Sequence, residues 1–139
     1  MTKLMSPELR MAVLEFVRSR PVWGTCAGMI MLAKDASDPR VVPLSLMDID
    51  VDRNGFGRQV HSFEASLRVS PELGDQEKRL HGVFIRAPRL RGFAADVRPL
   101  VWMDEEPVCV RQKNCLASSF HPELTDDDRV HRYFLAMTG

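Results

Sequence analysis

The most constraining feature of the chain is a short run, Val22-Trp23-Gly24-Thr25-Cys26-Ala27-Gly28-Met29, in which an apolar stretch tightens through two glycines around Cys26. This spacing predicts a strand that bends sharply into a helix, with Cys26 held at the bend. Such a turn needs glycines because a Cβ on either side would clash, and it leaves the thiol at the helix N-terminus. Unpaired N–H groups and the helix dipole there favour the thiolate, the form of cysteine that attacks carbonyl carbons. The pattern reads as a βα unit, though taken alone it suits equally a buried cysteine at a Gly-containing strand end.

A reactive thiol needs a base, and the base needs a group to orient it. Ser118-Ser119-Phe120-His121-Pro122-Glu123-Leu124 supplies both. Alternate residues of an extended segment share a side, so His121 and Glu123 are expected to converge, with Pro122 biasing His121 toward extended backbone. Each of these residues alone reads equally well as packing or surface. Together they point to Cys/His hydrolytic chemistry.

Composition removes several other classes. Nineteen Lys and Arg against nineteen Asp and Glu leave no net charge, which argues against a binder of the phosphate backbone. No apolar stretch is as long as a membrane span, and the N-terminus lacks the order of a signal peptide, so a soluble, cytoplasmic protein is expected. Three cysteines without a CxxC pair give neither a disulfide framework nor a zinc pattern. The spacing of the four histidines shows no metal site, and no cofactor is called for. Asn54-Gly55-Phe56-Gly57 is half of a glycine fingerprint and a weak phosphate signal.

With 139 residues the chain is expected to form a single domain, 1–139. Ser6 and Pro7 start a helix that ends before Pro21, with Leu9, Val13, Phe16 and Val17 on its inner face. Val22-Trp23 is a buried strand, Gly28 to Lys34 the helix after it, and Asp35 to Pro39 a loop. Extended segments are predicted at Val41 to Leu46, Met47 to Val51, Gln59 to Val69 and Gly82 to Ala87, with a polar loop from Pro71 to Arg79. Leu100 to Met103 and Val108 to Arg111 flank a hairpin turn, and Cys115 to Phe120 carries the chain to His121. Cys109 and Cys115 read as packing residues. A last helix runs from about Thr125 to Met137, with Val130, Phe134 and Leu135 inward. The expected architecture is an α/β sandwich with its chemistry at strand C-termini.

Four blocks resemble, in order, the glutaminase subunit of pyridoxal 5′-phosphate synthase, a class I glutamine amidotransferase: Gly24 to Gly28, Arg53 to Gln59 with Ser62-Phe63-Glu64, Val83 to Pro88, and Ser119 to Thr125. The resemblance implies a three-layer, flavodoxin-like α/β sandwich. It also implies hydrolysis of L-glutamine to glutamate and ammonia, the ammonia passing to a TIM-barrel synthase subunit for vitamin B6 synthesis. By position, Cys26 resembles the nucleophile, His121 the general acid/base and Glu123 its orienter. Ala27 would offer an oxyanion N–H, while Arg53, Ile85 and Arg86 fall on glutamine-binding positions. Guanidinium groups suit an α-carboxylate, although Arg53 and Arg86 also read as ordinary fold-supporting ion pairs.

Members of that family begin with strands and a Gly-Gly-Glu-Ser loop that this sequence lacks, so the resemblance implies a fold truncated at its N-terminus. The absent loop supplies a second oxyanion donor, and loss of one donor costs on the order of 10²–10³ in rate. This chain alone is therefore expected to hydrolyse glutamine poorly. Two other readings stand beside the glutaminase: a catalytically impaired interaction module, and a thiol hydrolase of the same fold acting on another γ-glutamyl donor.

Overall fold

The computed structural model describes residues 6–53, 56 and 61–138. The first helix, α1 (Pro7–Val17), starts where Ser6 Oγ accepts the Leu9 N–H at 3.2 Å, and Asn114 Nδ2 donates to the Val17 carbonyl at its far end. Its inner face is narrower than the sequence pattern suggests. Val17 is buried and Val13 partly so, but Leu9 and Phe16 are each about half exposed.

Strand β1 (Val22–Thr25) leads through Cys26 into α2 (Ala27–Leu32). Val41 to Leu46, expected to be extended and paired, forms no strand. Pro43 has no N–H to give to a ladder, and the neighbouring amides of Leu44, Ser45, Leu46 and Met47 instead donate to the carbonyls of Met31, Ala33 and Leu32. The segment thus satisfies the orphan carbonyls at the end of α2.

Strand β2 (Ile49–Asp52) pairs antiparallel with β5 (Arg89–Phe93), a strand that sequence reading overlooked. Strands β3 (Ser62–Val69), β4 (Leu80–Ile85), β6 (Arg98–Met103), β7 (Glu106–Gln112) and β8 (Cys115–Ser118) complete a six-stranded sheet in the order β1-β8-β7-β6-β3-β4. The start of the segment predicted from Gln59, and most of Asn54 to Gln59, lie outside the described residues. The β6–β7 turn is tighter than expected. Met103 pairs with Glu106 across Asp104 and Glu105, and Pro107 sits inside β7 beside a register shift, the kind of place where proline is tolerated in a sheet.

Alternate residues of β7 and β8 feed opposite cores. Val110, Cys115 and Ala117 join Met29, Ile30 and Leu32 of α2 on one side, whereas Cys109 and Leu116 join Phe84, Phe120 and Val130 on the other. The last helix, α3 (Arg129–Thr138), begins four residues later than expected and covers the second core. Val130 is fully buried, and Phe134 and Met137 pack partly behind it. Leu135 is 64% exposed, because five residues after Val130 is well off that inward stripe.

The sheet curls so far that its ends approach each other. β1 and β4 are last in the strand order on opposite sides, yet the Cys26 thiol after β1 donates to the Ile85 carbonyl of β4 at 3.5 Å. His121, just beyond β8, donates its N–H to Val83 O of β4 at 2.8 Å. Inside this seam Phe84 and Phe120, both fully buried, have ring centroids 5.8 Å apart. The result is a mixed α/β fold in which Cys26, Ile85, Arg86, His121 and Glu123 gather where the sheet closes.

Candidate active site

Gly24 explains why the bend forms. A Cβ there would lie 2.5 Å from the carbonyl carbon and oxygen of Gly28 and 2.9 Å from Leu32 Cδ1, so only glycine lets α2 descend this close to β1. Gly28 is different. A Cβ on it meets nothing within 4 Å, so the expectation of a clash at both glycines holds only for the first. The bend itself is carried by Cys26, at φ 54°, a left-handed conformation costly to a residue with a Cβ.

The Cys26 N–H donates to Ser118 O at 2.8 Å, extending the parallel pairing of Thr25 with Ser118. Its Sγ faces the carbonyls of Ile85 and Arg86 at 3.5 and 3.9 Å, with the backbone N–H of Ala27 next to it in the chain. Burial pushes the thiol above its ordinary value. The Ala27 N–H works the other way, and the negative charge of Glu123 adds to the rise. The expected advantage of the thiolate is therefore overturned at rest. A six-residue helix offers a weak dipole, and the nearest acceptors are carbonyl oxygens, which welcome a thiol proton and repel a thiolate.

Arg86 is also left-handed, at φ 46°, with its N–H on His61 O. That turn at the end of β4 aims two successive carbonyls at the sulfur. Ile85 and Arg86 are thus beside Cys26 through their backbone.

His121 and Glu123 meet, with Nδ1 2.8 Å from Glu123 Oε2. The route differs from simple alternation. His121 is extended, but Pro122–Leu124 form a single 3-10 turn that folds the carboxylate back onto the ring. Burial disfavours the Glu123 charge, but the His121 hydrogen bond, a backbone N–H and the nearby His121 and His131 outweigh it and hold the carboxyl below its usual range. The carboxylate fixes Nδ1, leaving Nε2 as the ring nitrogen able to exchange a proton.

Sequence reasoning missed the groups beneath this turn. Trp23 Nε1 donates to Ser118 Oγ at 3.1 Å, and the indole packs against His131 and Phe134 of α3. Arg53, in contrast, is engaged elsewhere. Its Nη1 lies 2.8 Å from Asp38 Oδ2, and Arg40 binds the same carboxylate at 3.1 Å. Among the described residues no cluster of His, Cys, Asp or Glu is arranged to hold a metal, and no helix is long and apolar enough to cross a membrane.

Comparison with known proteins gives consistent neighbours. The SNO glutamine amidotransferase family matches residues 1–138. The pyridoxal 5′-phosphate synthase subunit PdxT of Desulforudis audaxviator is 56% identical over 116 residues, which are 84% of this chain and 60% of that protein. PdxT of Pyrococcus furiosus is 48% identical over 118 residues, covering 83% and 58%. A crystal structure described as a glutamine amidotransferase superposes with TM-score 0.80 at 47% identity, covering 95% of this chain and 67% of that one. A Thermotoga maritima glutamine amidotransferase, 16% identical with TM-score 0.56, shares the fold. The chain spans about 60% of the length of the curated relatives it matches.

Proposed function

This chain belongs to the SNO glutamine amidotransferase family, and from that premise we propose that it hydrolyses the side-chain amide of L-glutamine to glutamate and ammonia. His121 Nε2 takes the thiol proton as Cys26 Sγ attacks the amide carbon. The oxyanion of the tetrahedral adduct lies toward the Ala27 N–H. When the adduct collapses, the proton on His121 goes to the departing ammonia and a thioester remains on Cys26. Water then attacks the thioester, again deprotonated by His121, and releases glutamate and the thiol. Glu123 keeps Nδ1 protonated and stabilises the imidazolium at each transfer.

For substrate recognition, the backbone of Ile85 and Arg86 is proposed to receive the bound amino acid next to the sulfur. The Arg86 and Arg53 guanidiniums are the candidates for its α-carboxylate, with Asp38 fixing the orientation of Arg53. The names of the relatives support a destination for the ammonia. We infer that the chain works in the cytoplasm with a TIM-barrel synthase subunit that makes pyridoxal 5′-phosphate.

The observation that carries this reading is the seam, where the left-handed Cys26, its sulfur against the Ile85 carbonyl of β4, shares Ser118 and β4 with the strand end that presents the His121–Glu123 pair. Ammonia release from glutamine, measured with the synthase subunit present, tests it. Cys26→Ala should reduce release to background and His121→Ala by about 10³ or more, in line with the loss of a triad member. Release unaffected by Cys26→Ala, or γ-glutamyl peptides cleaved faster than free glutamine, would overturn the proposal.

A further inference from the structure

Ser118 is 0% exposed, so its hydroxyl depends on protein partners. It meets β1 twice. Its carbonyl accepts the Cys26 N–H at 2.8 Å, and its Oγ accepts the Trp23 indole N–H at 3.1 Å. The first bond continues the regular ladder. The second is an additional clamp between the strand that carries the thiol and the strand that delivers the base.

On its other side the Trp23 ring meets His131 edge-on at 5.0 Å and Phe134 at 5.5 Å, both from α3. His131 is near enough to Glu123 to help hold that carboxyl below its usual range. The segment after Ser118 is pinned residue by residue: Ser119 N–H to Val108 O, Phe120 in the core, and His121 N–H to Val83 O. Any shift of Ser118 relative to β1 therefore passes to His121 three residues on. The Trp23 indole touches both Ser118 and α3 from the thiol's own strand.

We propose that Trp23 is a positioning residue for hydrolysis, its indole N–H bond to Ser118 setting the distance between the Cys26 sulfur and the His121 ring. The proposal rests on the glutaminase reading above. Its physical basis is that misplacement of reacting groups by as little as about 1 Å can cost on the order of 10² in rate.

The test compares Trp23→Phe, Ser118→Ala and the double variant in glutamine hydrolysis with the synthase subunit present, in thermal unfolding, and in the rate of Cys26 alkylation by iodoacetamide. Trp23→Phe keeps the aromatic packing and removes the donor, leaving the Ser118 hydroxyl buried and unpaired. It should lower kcat about tenfold with KM within twofold of the parent, slow alkylation, and lower the unfolding temperature. The double variant removes the orphaned hydroxyl as well. It should regain the unfolding temperature while kcat stays about tenfold down, no lower than in either single variant.

A kcat that recovers together with stability in the double variant, or one that never falls in Trp23→Phe, overturns the positioning role. The two readings fail separately. A parent chain that alkylates at Cys26 yet hydrolyses no glutamine overturns the glutaminase, whereas equal alkylation and turnover in parent and Trp23→Phe overturn the clamp alone.

Discussion

At Gly24 one hydrogen atom decides whether the site exists. A methyl group would have to enter backbone at 2.5 Å, and backbone of a strand and a helix cannot yield as a flexible side chain can. Gly24→Ala should therefore cost about 3 kcal/mol or more, at the top of the usual range for overpacking, read as a fall in the urea midpoint together with loss of Cys26 reactivity. Gly28→Ala enters open space in a helix and should be neutral or stabilising by up to about 1 kcal/mol, because alanine gives up less backbone freedom than glycine. Equal destabilisation by the two substitutions would contradict this account of the bend. The two glycines look alike in the sequence, and their different roles come from the approach of α2 to β1, which no local pattern encodes. His121 and Glu123 were legible as a pair, but their 3-10 turn was not, since Pro122 suits either an extended residue or the first position of a turn.

Among the elements, α3 is held at its start by an unusually complete set of bonds. The Arg129 side chain, 6% exposed, grips Asp127 through Nε and Nη2 and donates from Nη1 to the carbonyls of Asp75 and Lys78. Removing it leaves the Asp127 carboxylate with only the residue 129 backbone N–H, and the two carbonyls without their donor. Arg129→Met should cost about 3–5 kcal/mol, as for other broken buried pairs, with the loop between the 3-10 turn Pro71–Leu73 and β4 loosening first in hydrogen exchange; a loss below about 1 kcal/mol would contradict it. Hydrogen bonding to Arg129 also holds Asp127 below the usual carboxylate range. That contribution is present above the unfolded carboxyl value and is lost as pH falls through the folded one.

Strands β7 and β8 carry the opposite dependence. Burial pushes the Cys109 thiol up to about 12 and Cys115 to about 11, from an ordinary 9.0. Above pH 9 the unfolded chain ionises these thiols while the folded chain does not, so stability should decline from pH 9 upward until the folded values are reached. At pH 10.5 Cys109 alone should account for about 2 kcal/mol, at 1.36 kcal/mol per unit. Urea unfolding of the parent and Cys109→Ala at pH 8 and 10.5 measures it, and an equal pH dependence in both would contradict it. Partial alternation in β3, and the short apolar, β-branched and aromatic runs of β4, β6, β7 and β8, made these strands legible. β5 was missed because Arg89 and Arg91 flank its one buried residue, Leu90, and its pairing depends on β2 far away in the chain.

For the whole molecule, the decisive event is the curling of the sheet, which brings β4 to the end where β1 and β8 finish. Element types and most strand positions follow from local periodicity, and the family resemblance follows from four short blocks. The seam does not, because it depends on Phe84 and Phe120 meeting across the curl. Ile85 and Arg86 are noticed in the sequence as glutamine-binding positions by resemblance alone; the left-handed turn at Arg86 that aims their carbonyls at Cys26 is a property of the closed sheet.

The central claim is that Cys26, with His121 and Glu123, attacks the amide carbon of bound glutamine. A diazoketone analogue of glutamine, which alkylates a thiol only when held as the substrate is held, tests this directly by peptide mass spectrometry with the synthase subunit present. The account predicts one label, on Cys26, suppressed by excess glutamine and slowed strongly by His121→Ala. Label spread over other nucleophiles, or a Cys26 label indifferent to glutamine and to His121, would contradict it.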